Sequence, residues 1–296
     1  MTDSSTGRPS GRGRRLGAYV LPGDPTWLAR TLPRYYDLLD VLVVPVPTDG
    51  RGWTGAPVPV AEVVRLVHDL DPRGIVEEVP GRWTDAAHPQ RADTAQRQAA
   101  LDALGDRVDW VLQVDNDELL PEPAALLAAL DEAEARGLDA VEWPMRVLYR
   151  RTDRHVLEVC AADGSPHHEY PGPVAVRAGA GLVDARRTAG PFLRVVVAGD
   201  ERSLQLRRPP GDGEQRAVLA RPEQAIVHDS WARTPAEIRR KTASWGHARD
   251  ARFSTYFWLR WWPAPVTWRW LRDLHPFARG LWPRLRRLPS TGLLGE

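Results

Sequence analysis

The chain has 296 residues, of which 43% are hydrophobic and 27% are charged, and this suits one large globular domain or two small ones. The formal net charge of +1 gives no general attraction to nucleic acid, and the single cysteine, Cys160, excludes a disulfide framework and a cysteine-based zinc site. The sequence has no run of 18 apolar residues, which a membrane-spanning helix would need.

The first fifteen residues, 1–15, are rich in Ser, Gly and Arg and contain no apolar stretch. A segment of this composition cannot bury enough apolar surface to fold, so we predict a disordered basic tail and not a signal peptide. Together with the lone cysteine, this favours a reducing, cytoplasmic compartment.

Strands alternate with helices over the next 135 residues or so, by the periodicity of their hydrophobic positions. The pattern predicts strands over 16–21, 40–46, 74–79, 108–114 and 140–149, and helices over 26–39, 60–70, 94–104 and 122–136. Such an alternation is typical of βαβ units, so we predict an α/β fold with a mostly parallel central sheet flanked by helices. Residues 150–227 are predicted to be loop-rich, with short β segments at 174–177, 192–198 and 225–227.

The most informative feature is the strand over 108–114, because three acids follow it: Asp115, Asp117 and Glu118. Carboxylates at the end of a buried parallel strand lie at the edge of the sheet where α/β proteins bind ligands. Mg²⁺ and Mn²⁺ prefer such oxygen-rich sites and usually share their coordination with substrate phosphates. The alternative is a solvated acidic turn that caps the next helix.

Two basic side chains are predicted to point toward the same edge. Arg97 lies on the apolar stripe of the 94–104 helix, although its long side chain could instead extend to solvent. Lys241, the only lysine of the chain, lies on a second helix that begins at the capping sequence Thr234-Pro235-Ala236-Glu237 and extends to about residue 249. Its inward stripe also carries Ile238 and Trp245. An inward lysine needs an anion, either a substrate phosphate or an acid of the fold.

The C-terminal segment 253–289 is rich in tryptophan and arginine. It holds six of the 13 Trp residues of the chain and seven Arg against one acid, a local net charge of +6. We favour a helical subdomain that packs its Trp residues on the main sheet. Contact with a membrane interface is the second interpretation, and nucleic-acid binding is the third.

The order of these features resembles that of family 2 glycosyltransferases, which have the nucleotide-sugar-binding GT-A fold. The resemblance spans roughly residues 16–250 and rests on three segments: 94–104 with its arginine, 109–118 (DWVLQVDNDE), and 225–241 (AIVHDSWARTPAEIRRK). It implies a GT-A-like domain over 16–233, followed by a helical extension over 234–296.

The resemblance also implies roles for individual residues. Asp117 and His228 would bind a divalent cation, Mn²⁺ or Mg²⁺, that bridges the diphosphate of a nucleotide-sugar donor, and Asp115 would contact the ribose or support the metal. Arg97 and Lys241 would neutralise the diphosphate leaving group. Transfer would proceed by direct displacement with inversion at the sugar carbon. The acceptor is open: a saccharide, a lipid-linked glycan or a small molecule.

A catalytic base is also expected, because the acceptor hydroxyl must lose a proton. Family members often present a His-Glu pair after the metal-binding strand, and here His167-His168-Glu169 supplies one. We therefore nominate Glu169. The alternatives are Asp163, Asp200 and Asp229.

One segment departs from the family pattern. The second strand of family members often ends in an acid that reads the nucleobase, whereas Pro45 stands at that place here and only Thr48-Asp49-Gly50 fits the pattern. This leaves two other hypotheses open. The chain could be a non-catalytic carbohydrate- or membrane-surface-binding module, or an aspartate-dependent phosphatase that uses Asp115 and Asp117.

Overall fold

The computed structural model describes residues 13–244 and 253–290. The strands are β1 (Leu16–Tyr19), β2 (Val41–Pro47), β3 (Val76–Gly81), β4 (Trp110–Leu112), β5 (Glu118–Leu119), β6 (Ala140–Glu142), β7 (Met145–Arg151), β8 (His155–Cys160), β9 (Pro173–Arg177), β10 (Leu182–Asp184), β11 (Arg187–Thr188), β12 (Phe192–Val197), β13 (Glu214–Ala220), β14 (Ile226–His228) and β15 (Arg284–Pro289). The α-helices are α1 (Leu28–Thr31), α2 (Val60–Asp69), α3 (Pro89–Leu104), α4 (Pro123–Ala135), α5 (Leu204–Arg207), α6 (Pro235–Ser244), α7 (Phe253–Tyr256) and α8 (Ala264–Thr267).

The larger sheet has eight strands in the order β13-β12-β6-β9-β4-β1-β2-β3. All neighbours pair in parallel except β9, which is antiparallel to both β4 and β6. Helix α3 packs on one face through Ala100, Leu101 and Leu104, while α1, α2 and α4 pack on the other. The predicted α/β class, with a mostly parallel sheet flanked by helices, is confirmed.

The predicted strand over 140–149 is in fact two strands that belong to different sheets. It divides at Trp143-Pro144 into β6, in the larger sheet, and β7, in a second sheet of order β15-β8-β7-β14-β5. Pro144 has no backbone N–H to donate to a ladder, so the pairing partners can change there. The indole of Trp143 is fully buried at this transition and donates to the carbonyl oxygen of Gln224 at 2.9 Å.

Two other predicted elements also need correction. The helix expected over 26–39 is only the single turn α1 followed by two short 3₁₀ turns, and Pro33 lies in the first of these. The region 150–227 is not mainly loop, because it contains β8 and β13 as well as the three segments predicted there. Strand β13 lies at the edge of its sheet and exposes Val218 and Leu219, so its sequence lacks the pattern of a buried strand.

Helix α6 begins as the sequence predicts. The backbone N–H of Thr234 donates to the carboxylate of Glu237 at 2.7 Å, and the N–H of Glu237 donates to the hydroxyl of Thr234 at 3.3 Å. These reciprocal bonds satisfy two donors of the first turn. Ile238 is buried and Lys241 is half-buried, as the predicted stripe requires. Trp245 and the rest of the predicted helix lie outside the described residues.

The C-terminal segment packs on the smaller sheet, so the prediction that it packs on the main sheet is wrong. Trp261 is fully buried, and its indole N–H lies 3.1 Å from the carbonyl oxygen of Tyr149 and 3.0 Å from that of Trp231. The segment also contains a strand, β15, which pairs with β8. In the described ranges, no helix is long and apolar enough to cross a membrane.

The division into a tail, a catalytic domain and an extension remains a prediction. Residues 1–12 lie outside the described part of the chain. Arg14 and Arg15, at the end of the predicted tail, form ion pairs with Glu134 and Asp109, respectively.

Candidate functional site

The three acids after β4 lie at the carboxyl edge of the larger sheet, beside a cavity of about 490 Å³. Asn116 anchors their turn, because its amide donates to the carbonyl oxygens of Leu21 at 3.0 Å and Asp24 at 2.8 Å, both in the loop after β1. Asp115 and Asp117 line the cavity from either side of Asn116. The turn is therefore fixed against the main sheet and directs two carboxylates into one space.

Asp117 uses its two carboxylate oxygens differently. Oδ2 accepts hydrogen bonds from Arg233 and from Nζ of Lys241, both at 2.7 Å, whereas Oδ1 faces Nε2 of His228 at 3.7 Å. Burial opposes the charged carboxylate, but Lys241 and Arg233 hold the pKa of Asp117 well below its usual range. The side chain is thus a buried anion at neutral pH.

His228 reaches this position through the smaller sheet. It ends β14, where it pairs with Glu118 of the antiparallel strand β5, and the N–H of the next residue, Asp229, donates to the carbonyl oxygen of Asp117 at 2.8 Å. Burial lowers the pKa of His228, so its ring is neutral at pH 7. A neutral imidazole is the form that binds metals.

Asp115 forms an ion pair with Arg97. The guanidinium of Arg97 donates to Oδ1 of Asp115 at 2.9 Å, to Asp93 at 2.7 Å and to the hydroxyl of Tyr19 at 3.1 Å. Arg97 is only 5% exposed and lines the cavity, so it points to the sheet edge and not to solvent. Although burial disfavours ionisation of Asp115, Arg97 and Arg186 keep its pKa below the ordinary value.

Glu118, the third acid, does not face the cavity. It is completely buried and accepts two hydrogen bonds from Arg186, at 2.5 and 2.9 Å, and one from the backbone N–H of Asp115 at 3.1 Å. A buried bidentate pair of this kind holds both side chains in one geometry. Glu118 therefore supports the turn, and Arg186, which itself lines the cavity, contributes a fixed positive charge.

Lys241, which the sequence predicts to need an anion, pairs with an acidic residue of the protein itself. Nζ of Lys241 donates to Asp117 and, at 2.9 Å, to the hydroxyl of Ser230. Arg233 approaches the same carboxylate oxygen and also pairs with Asp24. Lys241 and Arg233 both line the cavity.

The cavity can hold a divalent cation only if a substrate completes its coordination. Two ligand atoms that lie about 2.0–2.2 Å from one ion cannot be more than about 4.4 Å apart. The 3.7 Å between Oδ1 of Asp117 and Nε2 of His228 meets this condition. Within the described ranges, no group of three or more His, Cys, Asp or Glu side chains is placed to hold a metal, so a cation here would need ligands from a substrate.

The nominated base, Glu169, does not line this cavity. It is half-buried, and its Oε2 accepts a hydrogen bond from the indole of Trp282 at 3.3 Å. Burial raises the pKa of Glu169 to about 7. The cavity-lining residue nearest to it in the described sequence is Pro171.

The three alternative bases are held by other partners. Asp163 is exposed and pairs with Arg202, and Asp229 is buried and pairs with Arg151 at 3.0 Å. Asp200 accepts hydrogen bonds from Tyr170 and Ser203 and contacts Nδ1 of His168 at 3.1 Å. The cavity-lining set within the described residues includes none of the three.

Sequence reasoning missed four of the six basic residues at the cavity: Arg186, Arg187, Arg233 and Arg240. All four are arginines in a chain in which 39 of 40 basic residues are arginine, so their type carried no signal. Arg186 lies in the region expected to be loop, and Arg233 comes just before the cap of α6. The position of Arg233 immediately before a helix that carries Lys241 was the one available indication.

A scan of family models finds no match for this chain, and a search of curated proteins finds none either. Among solved structures, the chain is similar to 4-diphosphocytidyl-2C-methyl-D-erythritol synthase from Anaerococcus prevotii DSM 20548, with a TM-score of 0.34 and 14% sequence identity over 56% of this chain and 70% of that one. A second structure of a synthase of this name gives a TM-score of 0.33 and 16% identity over 56% of this chain and 77% of that one. Similarity at this level carries no argument about function.

Proposed function

We propose that this protein is a metal-dependent glycosyltransferase that moves a sugar from a nucleotide-sugar donor to an acceptor, with inversion. The observation that carries the proposal is the arrangement around Asp117. One carboxylate oxygen faces His228 across 3.7 Å, and the other is held by Lys241 and Arg233 at the wall of a cavity large enough for a small ligand.

The charges around the cavity favour a donor that brings a cation with it. The residues lining it include five acids, and they also include six Arg or Lys residues. These charges nearly cancel, so the cavity has little excess positive charge for a diphosphate with at least two negative charges. A Mg²⁺ or Mn²⁺ ion held by Asp117, His228 and the diphosphate oxygens would supply the missing charge and act as a Lewis acid on the leaving group.

Four basic side chains would act directly on the leaving group. Arg97 and Arg186 are held rigidly by buried ion pairs, whereas Lys241 has a flexible stem that could move from Asp117 to a phosphate oxygen. Together with Arg233 they would stabilise the negative charge that develops on the diphosphate. Protonation of the leaving group is then unnecessary.

In the proposed reaction, the acceptor hydroxyl oxygen forms a bond to the anomeric carbon while the bond from that carbon to the diphosphate oxygen breaks. The electron pair leaves with the nucleoside diphosphate, and the hydroxyl proton goes to Glu169. A pKa of about 7 suits a base that must be ionised in the cell and must still hold a proton. Glu169 does not line the cavity, so this role requires an acceptor that extends beyond it.

The nucleobase would bind beside Trp53, which lines the cavity together with Pro47 and Val58. The indole N–H of Trp53 donates to Gln96 at 2.7 Å, and Gln96 donates to the carbonyl oxygen of Pro45 at 2.8 Å. These bonds connect the ring to Pro45, which stands where family members carry a base-reading acid. We therefore expect recognition by stacking, with weaker discrimination among nucleobases.

The test is thermal unfolding of the full chain with Mn²⁺ and a panel of nucleoside diphosphates. A ligand that binds only the native state raises stability by RT ln(1 + [L]/Kd), or about 2.7 kcal/mol at one hundred times Kd. We expect at least one nucleotide to raise Tm only when Mn²⁺ is present. The shift should disappear in Asp117→Ala and in His228→Ala.

Asp184→Ala is the matched control, because Asp184 is an exposed acid that lines the same cavity. It should keep the shift. A shift of wild-type size in Asp117→Ala would contradict the metal assignment, and the absence of a shift with every nucleotide would contradict the donor site. For a protein that passes this test, conversion of a nucleotide sugar to the nucleoside diphosphate establishes transfer.

A further inference from the structure

We infer that an exposed face of the C-terminal segment docks the protein on the surface of an anionic lipid bilayer. Nine large hydrophobic residues are exposed in the described ranges, and six of them lie between residues 258 and 277. Five of the six form what we call the tryptophan face: Trp258, Leu259, Trp262, Val266 and Trp270. This inference does not depend on the proposed glycosyl transfer.

Four residues of the tryptophan face, Trp258, Leu259, Trp262 and Val266, lie on a nearly continuous helical stretch, and Trp270 lies in the turn that follows it. Helix α7, the π-helical turn Phe257–Trp261 and α8 follow one another with Trp262 and Pro263 also in helical conformation. Trp258, Trp262 and Val266 recur at every fourth position, the spacing that places side chains on one side of a helix. The rings of Trp258 and Trp262 lie 5.8 Å apart, so they form a joint apolar surface.

The opposite side of the same stretch is buried and holds it firmly. Phe257, Trp261 and Ala264 pack in a core with Tyr149 and Leu157 of the smaller sheet. The exposed tryptophans are therefore presented on a rigid platform and do not need to fold on contact. An apolar surface of this kind, facing water in the free protein, marks an interaction site.

The arginines of the C-terminal segment favour an anionic partner. Arg269 is exposed and lies over the ring of Trp268 at 4.8 Å, and the side chain of Arg279 is 95% exposed although its Nε pairs with Asp273 at 3.3 Å. Asp273 is the one acid among the seven arginines of the segment. Tryptophan with arginine is the composition of surfaces that lie in the headgroup region of membranes, where the indole keeps its apolar body in lipid and its N–H in water.

The face is also close to the cavity. The guanidinium of Arg239, on α6, lies over the ring of Phe257 at 4.9 Å and over that of Trp258 at 5.9 Å. The next two residues of α6, Arg240 and Lys241, line the cavity. One helix therefore separates the cavity from the proposed membrane contact, so a ligand embedded in the bilayer would be within reach of the cavity.

The test is co-sedimentation of the full chain with vesicles of phosphatidylcholine alone and of phosphatidylcholine with 30% phosphatidylglycerol. We expect binding to the anionic vesicles that is at least about tenfold tighter than to the neutral ones and that weakens at high salt, because ions screen the arginines. The variant Trp258→Ser/Trp262→Ser/Trp270→Ser should bind at least about tenfold less tightly. Arg269→Gln/Arg279→Gln should lose most of the preference for anionic lipid.

The matched control is Val218→Ser/Leu219→Ser, which removes exposed apolar side chains of the edge strand β13 and should bind like wild type. If the triple variant does not fold, Trp270→Ser alone still serves, because that side chain is 74% exposed. The inference is overturned if wild type ignores both kinds of vesicle, or if loss of the tryptophans leaves binding unchanged. A wild-type dimer that the triple variant dissociates, without vesicle binding, would assign the face to self-association instead.

Discussion

Asp117 and His228 face each other because a backbone ladder brings the chain segments that carry them together. Strand β5 starts one residue after Asp117, and it pairs with β14, which ends at His228. The peptide bond after His228 adds a further hydrogen bond to the carbonyl oxygen of Asp117 at 2.8 Å. The 3.7 Å separation of the two side chains is therefore set by the rigid sheet and not by a flexible loop.

Asp117→Asn should abolish turnover and nucleotide-dependent stabilisation while the protein stays folded. The amide can still accept hydrogen bonds from Lys241 and Arg233, but it no longer balances their charge, so we expect a loss of about 1–3 kcal/mol in the free energy of unfolding. Chemical denaturation and circular dichroism measure this. An unfolded variant would show that the carboxylate is mainly structural.

Lys241→Arg should reduce kcat although it keeps the charge. Nζ of Lys241 fits between Asp117 at 2.7 Å and Ser230 at 2.9 Å, and a planar guanidinium cannot take the place of this compact group without moving a neighbour. The matched control is Arg240→Lys, the reverse exchange at the neighbouring cavity-lining position. Equal kinetics for both variants and wild type would mean that the single lysine has no special role.

Glu169→Gln should change the pH dependence of both activity and stability. The folded protein holds the pKa of Glu169 at about 7, above its usual 4.5, so the native state favours the protonated form. Wild type should therefore lose about 1–2 kcal/mol of stability as pH rises from 4.5 to about 7, whereas the variant should not. This loss is smaller than the full pKa shift implies, because the carboxyl is only half-buried and water screens its charge. Denaturation at pH 4.5, 6 and 8 measures the difference.

The proposed role of Glu169 also predicts that enzymatic activity rises with pH. If Glu169 is the base, kcat/KM should increase as pH passes through about 7, and Glu169→Gln should remove this limb along with most of the rate. A variant that keeps the wild-type profile would leave the role to another group. Asp229, whose pKa burial raises to about 6, is the next candidate, and Asp229→Asn tests it.

Glu118→Gln should destabilise the protein by about 3–5 kcal/mol, because it leaves the guanidinium of Arg186 buried without a matching charge. The expected cost is far above that of Asp69→Asn, which breaks the exposed pair between Arg65 and Asp69 and should change stability by less than about 0.5 kcal/mol. Urea unfolding compares the two. Similar losses would mean that Glu118 is not the support of the acidic turn.

Truncation of two neighbouring tryptophans should reduce the stability of the protein by very different amounts. Trp261 is completely buried and hydrogen-bonded, so Trp261→Ala should cost about 3–5 kcal/mol. Trp262 is 46% exposed, and Trp262→Ala should cost less than about 1 kcal/mol. Equal losses in a urea titration would contradict this division of the segment into a packed side and an open side.

The elements that could be predicted are those whose pattern is local. The buried strand before Asp115, the amphipathic helix that carries Arg97 and the capping sequence before Lys241 each show their identity within a few residues. Packing on one face gives such elements a period of two or 3.6 residues, and a cap has a fixed spacing. Strands β8 and β13 escaped prediction because one packs on a distant segment and the other lies at a sheet edge.

The sequence by itself determined the α/β class, the acids at the end of β4, and a lone lysine on the inner side of a capped helix. Only the tertiary structure decided that Asp117 faces His228, that Arg233 binds the carboxylate 116 residues before it, and that Arg186 holds Glu118. It also decided which tryptophans are buried. The physical reason is that these contacts join segments far apart in the chain, and they form only when sheet pairing and core packing fix both partners at once, which no local pattern encodes.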